Sequence, residues 1–210
     1  MVRIAPRFAR VESVRRHAAG VIAESGRIDI LLNAVGFDHQ QGIPLRELSL
    51  EDYLYPIAGY TSTQFLTATE AARHMADAGS GVILTISTTA SQVTLPVDGF
   101  GPACIAVEAF TKQLANEVGP RGVRVVCLRA DGIAESVPAG SYVGSLVRRM
   151  GERFAVPVDE MLADPGAPGR MLPQGTTLAD VAEAATFLAS DRAGGITAAV
   201  TTIAGGSVVG

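Results

Sequence analysis

GVILTISTTASQVTLPVDGFGPACIAVEAFTKQLANEV (Gly81–Val118) carries the pattern from which the rest of the chain can be placed. Its first seven residues, GVILTIS (Gly81–Ser87), form an apolar, β-branched run that leads into the hydroxyls of Ser87, Thr88 and Thr89. That is how a buried strand reads. A turn-rich bridge with Pro96, Asp98 and Gly99 follows, and then FGPACIAVEAFTKQLANEV with helical period. A second apolar run, Val123–Leu128, comes next. Strand, bridge, helix and strand together are the pattern of parallel α/β units.

Toward the amino terminus, Val11–Ser25 places Val11, Val14, Ala18, Val21 and Ile22 on one helical side and stops at Gly26. IDILLNAVG (Ile28–Gly36) reads as an apolar strand with a glycine exit. After a polar loop, Ser49 with Glu51 and Asp52 starts a helix that continues to about Ala78. Pro56 is expected to break or kink its early part. Toward the carboxyl terminus, VRVVCLRAD (Val123–Asp131) is a strand, and residues 133–176 form a lid with a short helix around MGERFAVPVDEML. The helix Leu178–Ala189 and the strand Gly195–Ile203 complete one domain spanning residues 1–210.

Composition excludes several classes of function. The chain has 210 residues, 48% of them hydrophobic and 18% charged, enough for one substantial core. A net charge of −4 implies no nucleic-acid-binding face. The arginines at 3, 7, 10, 15 and 16 read as a solvated helix face rather than as a contact for an acidic partner. The two cysteines, Cys104 and Cys127, have no histidine spaced near them, so no zinc site is expected and the thiols should be reduced. The sequence contains neither an apolar run of about 18 residues nor a signal sequence, so no membrane span and a cytoplasmic location are expected.

Gly81–Val118 resembles the short-chain dehydrogenase/reductase family. So do NAVG (Asn33–Gly36), AVEAFTKQLANEVGPRGVRVVCLRADGIAES (Ala106–Ser136) and TLADVAEAATFLASDRAGGIT (Thr177–Thr197). The resemblance covers roughly residues 11 to 210 and implies an α/β Rossmann-like parallel sheet with flanking helices. It also implies a catalytic serine at Ser87, a tyrosine thirteen residues on and a lysine four beyond that. Those positions hold Phe100 and Cys104 here, and the family's helix asparagine falls on Tyr60. In the family, Ile28–Gly36 would be the fourth of seven strands. The amino-terminal nucleotide-binding strands and their glycine-rich turn are lacking before Ile28. Dinucleotide binding needs such a turn to bring backbone amides to the pyrophosphate, so no cofactor is expected.

Phenylalanine cannot move a proton, and a cysteine carries no positive charge at neutral pH. The site therefore reads as degenerate for hydride transfer. Non-redox chemistry without a cofactor (cyclisation, dehydration or isomerisation of a small apolar carbonyl compound) becomes the leading expectation. Ser87 would hold the carbonyl oxygen, and Asp131 or the Asp38–His39 pair would move the proton, with Tyr60 beside them. Phe37, Phe100 and Cys104 would line the substrate. Asp131, at a strand's carboxyl end, reads first as a turn cap and second as the acid or base. Two alternatives stand beside this: an inactive binding or structural subunit, and an NAD(P)-dependent oxidoreductase completed by a partner chain or by a missing amino terminus. An uncovered apolar edge at Ile28–Gly36 predicts a homo-oligomer, dimer or tetramer, or a partner protein at that edge. Val2–Ile4 could instead cover part of it.

Overall fold

The computed structural model describes residues 10–163 and 170–209. The elements follow in the order α1 (Val11–Ser25), β1 (Ile30–Asn33), α2 (Leu50–Ala78), β2 (Gly81–Thr88), α3 (Phe100–Val118) and β3 (Val123–Ala130). After these come α4 (Val143–Phe154), α5 (Val158–Ala163), α6 (Leu178–Ala189) and β4 (Val200–Ile203). The four strands make one parallel sheet in the order β1-β2-β3-β4, with Leu31 opposite Ile83, Ile83 opposite Val125, and Cys127 opposite Val200. This is the expected α/β Rossmann-like sheet, with four strands among the described residues.

Alternation along β2 sorts its side chains between two layers. Ile83 joins Ala68, Ala72, Met75, Leu114 and Val125 beneath α2 and α3. Val82 and Leu84 face the other way and join Val126, Leu128 and Leu188 under α6. Alanines on α2 let it approach the sheet closely, and Met75 fills the gap at its end, fully buried. Ser49 caps α2, its hydroxyl accepting from the Asp52 amide, and Thr177 opens α6 with a reciprocal capping box to Asp180.

Three boundaries differ from those read in the sequence. The kink expected at Pro56 does not divide α2, which runs as one helix with the proline buried inside it. The first strand shortens to Ile30–Asn33. The last begins at Val200, because Ala198 takes a left-handed backbone (φ 56°) that interrupts extended structure just before it. On the face of β1 opposite Leu31, Ile30 and Leu32 are 53% and 49% exposed, and among the described residues β1 pairs with β2 alone. The covering expected from Val2–Ile4 lies outside the described residues. No helix among the described residues is long and apolar enough to cross a membrane.

Candidate active site

A cavity of about 440 Å³ opens at the carboxyl-terminal ends of β1, β2 and β3, walled by Gly36, Thr88, Ala130 and Asp131 and roofed by Leu146, Val147 and Met150 of α4. Open parallel sheets present such crevices where successive strand ends diverge. The roof forms because α4 turns an apolar side down onto the crevice. Arg149, on its other side, is anchored to the loop after β1. It makes a two-pronged ion pair with Asp38 and a 2.8 Å bond to the His39 carbonyl.

Of the expected site residues, Tyr60, Ser87, Phe100, Cys104 and Asp131 line this cavity. Ser87 does so without offering its hydroxyl to a ligand, contrary to the carbonyl-holding role expected of it. Its Oγ donates to Glu108 at 2.6 Å, because Ser87 shares the helix-facing side of β2 with Thr85, which bonds Thr111 of α3. Thr88, one residue on, turns into the crevice and meets the Cys104 thiol at 3.4 Å. Burial pushes the Cys104 thiol up to about 11, so it stays protonated and apolar.

The Asp38–His39 pair does not act as a unit. Hydrogen bonds from Arg149 hold the Asp38 carboxyl below the ordinary aspartate range, against the opposing effect of burial. His39 is buried behind the cavity wall, its ring 4.7 Å from Phe100, centroid to centroid. Its Nδ1–H donates to the Phe37 carbonyl, Nε2 accepts from Gln41, and burial lowers its pKa, so the ring is neutral. Phe37 stacks on Tyr60 at 4.6 Å instead of facing a ligand. Asp131 makes the turn-capping contacts that were one of the two readings of it. Its Oδ1 caps the turn, accepting from Thr89 Oγ1 and the Gly132 amide at 2.9 Å each, while its buried Oδ2 has no hydrogen-bond partner.

Two features escaped the sequence reading. One is a buried ion pair in which Glu108 of α3 accepts from Arg129 Nε and Nη2 of β3 (2.9 and 2.7 Å) and from Ser87 and Ser91. A glutamate within the apolar stretch Ala103–Phe110 and an arginine following the apolar run Val125–Leu128 were the available signal. The other is Tyr142, whose hydroxyl lies 3.0 Å from that of Tyr60 and which also lines the cavity. It sits in an irregular segment, where no periodicity marks it.

A family model described as enoyl-(acyl carrier protein) reductase matches residues 8–207. The chain belongs to the short-chain dehydrogenase/reductase family. It is 32% identical to D-threitol dehydrogenase of Mycolicibacterium smegmatis over 209 residues, covering 96% of this chain and 71% of that one. It is 31% identical to tropinone reductase-like 2 of Erythroxylum coca, covering 82% of this chain and 60% of the relative. The solved structure of enoyl-(acyl-carrier-protein) reductase from Anaplasma phagocytophilum in complex with NAD superposes with a TM-score of 0.73. It is 25% identical, with 96% of this chain and 70% of that one covered. These findings correct the expectation of cofactor-independent, non-redox chemistry at a degenerate site. These relatives, which match 96% and 82% of this chain, are named a dehydrogenase and a reductase-like protein.

Proposed function

We propose that this chain carries the substrate-binding part of an NAD(P)-dependent oxidoreductase, with the nucleotide's pyrophosphate held by another chain. The observation that carries this reading is the apolar cavity at the ends of three parallel strands, lined by Asp131, whose buried Oδ2 has no hydrogen-bond partner among the described residues. That acceptor, Asp131 Oδ2, fits the amide donor of a nicotinamide carboxamide, and the small residues Ala130 and Gly132 beside it leave room for a flat ring. The fit stops there, since no backbone-amide cradle for a pyrophosphate occurs among the described residues. When bound, a nicotinamide supplies hydride transfer. The chain's own residues bind and orient a small apolar ketone or the matching alcohol and exclude water from it. Leu146, Val147 and Met150 cover the ligand, and the Asp38–Arg149 ion pair holds that cover down. A homo-oligomer, or a partner protein paired at the β1 edge, fits the exposed Ile30 and Leu32.

Calorimetry with reduced nicotinamide mononucleotide and with NADH tests the reading. Both should bind with dissociation constants within about tenfold of each other, because the adenosine half meets no built site here. Asp131→Leu should weaken both. No saturable binding of either up to about 10 mM, a limit of roughly −2.7 kcal/mol, would instead favour an inactive binding subunit.

A further inference from the structure

Two phenol hydroxyls in the crevice belong to tyrosines that reach it from distant parts of the chain. Tyr60 stands inside α2 and Tyr142 just before α4, and their hydroxyl oxygens are 3.0 Å apart. Both side chains line the cavity. Their rings are held by a cluster of others. Tyr60 lies 4.6 Å from Phe37 and 5.2 Å from Phe100, and His39 lies 5.9 Å from Tyr142. The Tyr142 ring also occupies the space beside Gly36, where a Cβ would come within 2.5 Å of it. Any larger residue at that position would push the ring away. A phenol fixed at this many points loses little further freedom on binding a ligand, so its hydrogen bond is spent on recognition.

The protons can be counted. Burial raises the pKa of both phenols, so each keeps its proton. Two hydroxyls carry two protons, and their mutual hydrogen bond uses one. The Phe37 backbone contributes a hydrogen bond that favours the Tyr60 oxygen. Either oxygen can be the donor in their mutual bond, and in the arrangement in which Tyr60 donates, the Tyr142 proton is left for a ligand in the cavity. The neighbouring walls are the Phe100 ring and the protonated Cys104 thiol, which compete weakly for it.

We infer that the Tyr60–Tyr142 hydroxyl pair is the anchor for a ligand oxygen in this crevice, with Tyr142 as the donor that touches it. The ligand is a compact apolar molecule with a carbonyl or hydroxyl oxygen at one end, and the pair takes the oxygen-holding role that Ser87 cannot. This inference rests on the crevice being the ligand site proposed above. It does not depend on a nicotinamide being bound.

The test uses cyclohexanone and methylenecyclohexane, two molecules of nearly the same shape, only one of which accepts a hydrogen bond. Saturation-transfer NMR on the whole chain gives both affinities, and carbonyl-labelled cyclohexanone reports the hydrogen bond through its carbon shift. The wild type should bind the ketone about tenfold more tightly than the alkene, the worth of one hydrogen bond to a protonated donor, and the bound carbonyl carbon should move downfield. Tyr142→Phe should abolish both the preference and the shift while keeping the alkene affinity. Tyr60→Phe, which leaves its ring in the cluster, should reduce both and covers the case in which the first variant fails to fold. Preference and shift unchanged in a folded variant of each, or no ketone binding in the crevice, overturns the inference. If the preference is lost as expected while NADH and its mononucleotide fail to bind, the anchor stands and the redox reading falls.

Discussion

Replacing Glu108 should cost more stability than almost any other single change in the chain. Its carboxylate accepts four hydrogen bonds, from Arg129 Nε and Nη2, Ser87 Oγ and Ser91 Oγ, at 2.6 to 2.9 Å. Arg129 also reaches Thr202 of β4 at 3.1 Å, so the pair links α3 to three strands. The two side chains are 5% (Arg129) and 10% (Glu108) exposed. Removing one partner of a buried ion pair costs about 3–5 kcal/mol, because the remaining charge keeps its desolvation penalty. Water entering from the adjacent cavity, which Ser87 lines, offsets part of that, so Glu108→Ala should cost about 3 kcal/mol. Glu108→Gln keeps an acceptor oxygen but loses the charge and should cost about half as much. The double variant Glu108→Leu, Arg129→Met removes both charges at once and should lie within about 1 kcal/mol of the wild type.

Urea unfolding with the slope held common among variants measures these differences. The pH dependence adds a second check. Burial pushes the Glu108 carboxyl up, but the hydrogen bonds and charge of Arg129, with the two serines, outweigh it and hold the group below its ordinary value of 4.5. A depressed carboxylate contributes stability that is complete above its unfolded pKa and is lost as pH falls through the folded one. The gap between wild type and Glu108→Ala should therefore be full at pH 7 and shrink below about pH 4. A cost under about 1 kcal/mol at pH 7, or a gap that widens in acid, would refute the view of this pair as a buried clamp.

Two further outcomes follow from the same contacts. Arg149→Ala removes the latch to Asp38 but only a partly exposed ion pair, so global stability should change by less than about 1 kcal/mol. Hydrogen exchange across Val143–Phe154 should nevertheless speed up, and equal exchange rates would show that the roof is held by its apolar side alone. Iodoacetamide at pH 8 should leave Cys104 and Cys127 unlabelled in the native protein and label both in urea. With Cys104 near 11 only roughly one thiol in a thousand is ionised, and rapid native labelling would mean that the crevice floor opens to solvent.

Most of the fold was legible because periodicity records which side of an element is buried. Gly81–Val118 shows a strand and then a helix in this way, and both occur almost where they were read. Pro56 was misjudged because the cost of one forfeited internal hydrogen bond does not end a helix whose proline is buried in the interior. The site was less legible. Counting thirteen residues from Ser87 fixes a spacing but not the side of the strand on which its hydroxyl lies. Alternation through Thr85, which bonds Thr111, sends Ser87 toward α3 and Glu108. Tyr142 could not be found at all, because it meets Tyr60 across 82 residues through an irregular segment.

Phe100 and Cys104 suggested that the crevice had lost its polar chemistry, and the surrounding geometry leads elsewhere. A ring at position 100 gives His39 and Tyr60 an apolar surface to pack against. That packing keeps the histidine neutral, and the neutral thiol of Cys104 adds no charge to the floor. A cationic lysine there would compete for the ligand's oxygen, and a tyrosine at position 100 would add another hydroxyl to share the hydrogen bonds of Tyr60. With both positions uncharged, the Tyr60–Tyr142 pair stands beside an apolar part of the wall, and Asp131 Oδ2, without a hydrogen-bond partner among the described residues, lies at another. A mostly apolar lining with a few polar groups is the composition of small-molecule pockets, and the proposed anchor predicts that shape selects a compact ligand while hydrogen bonds orient it.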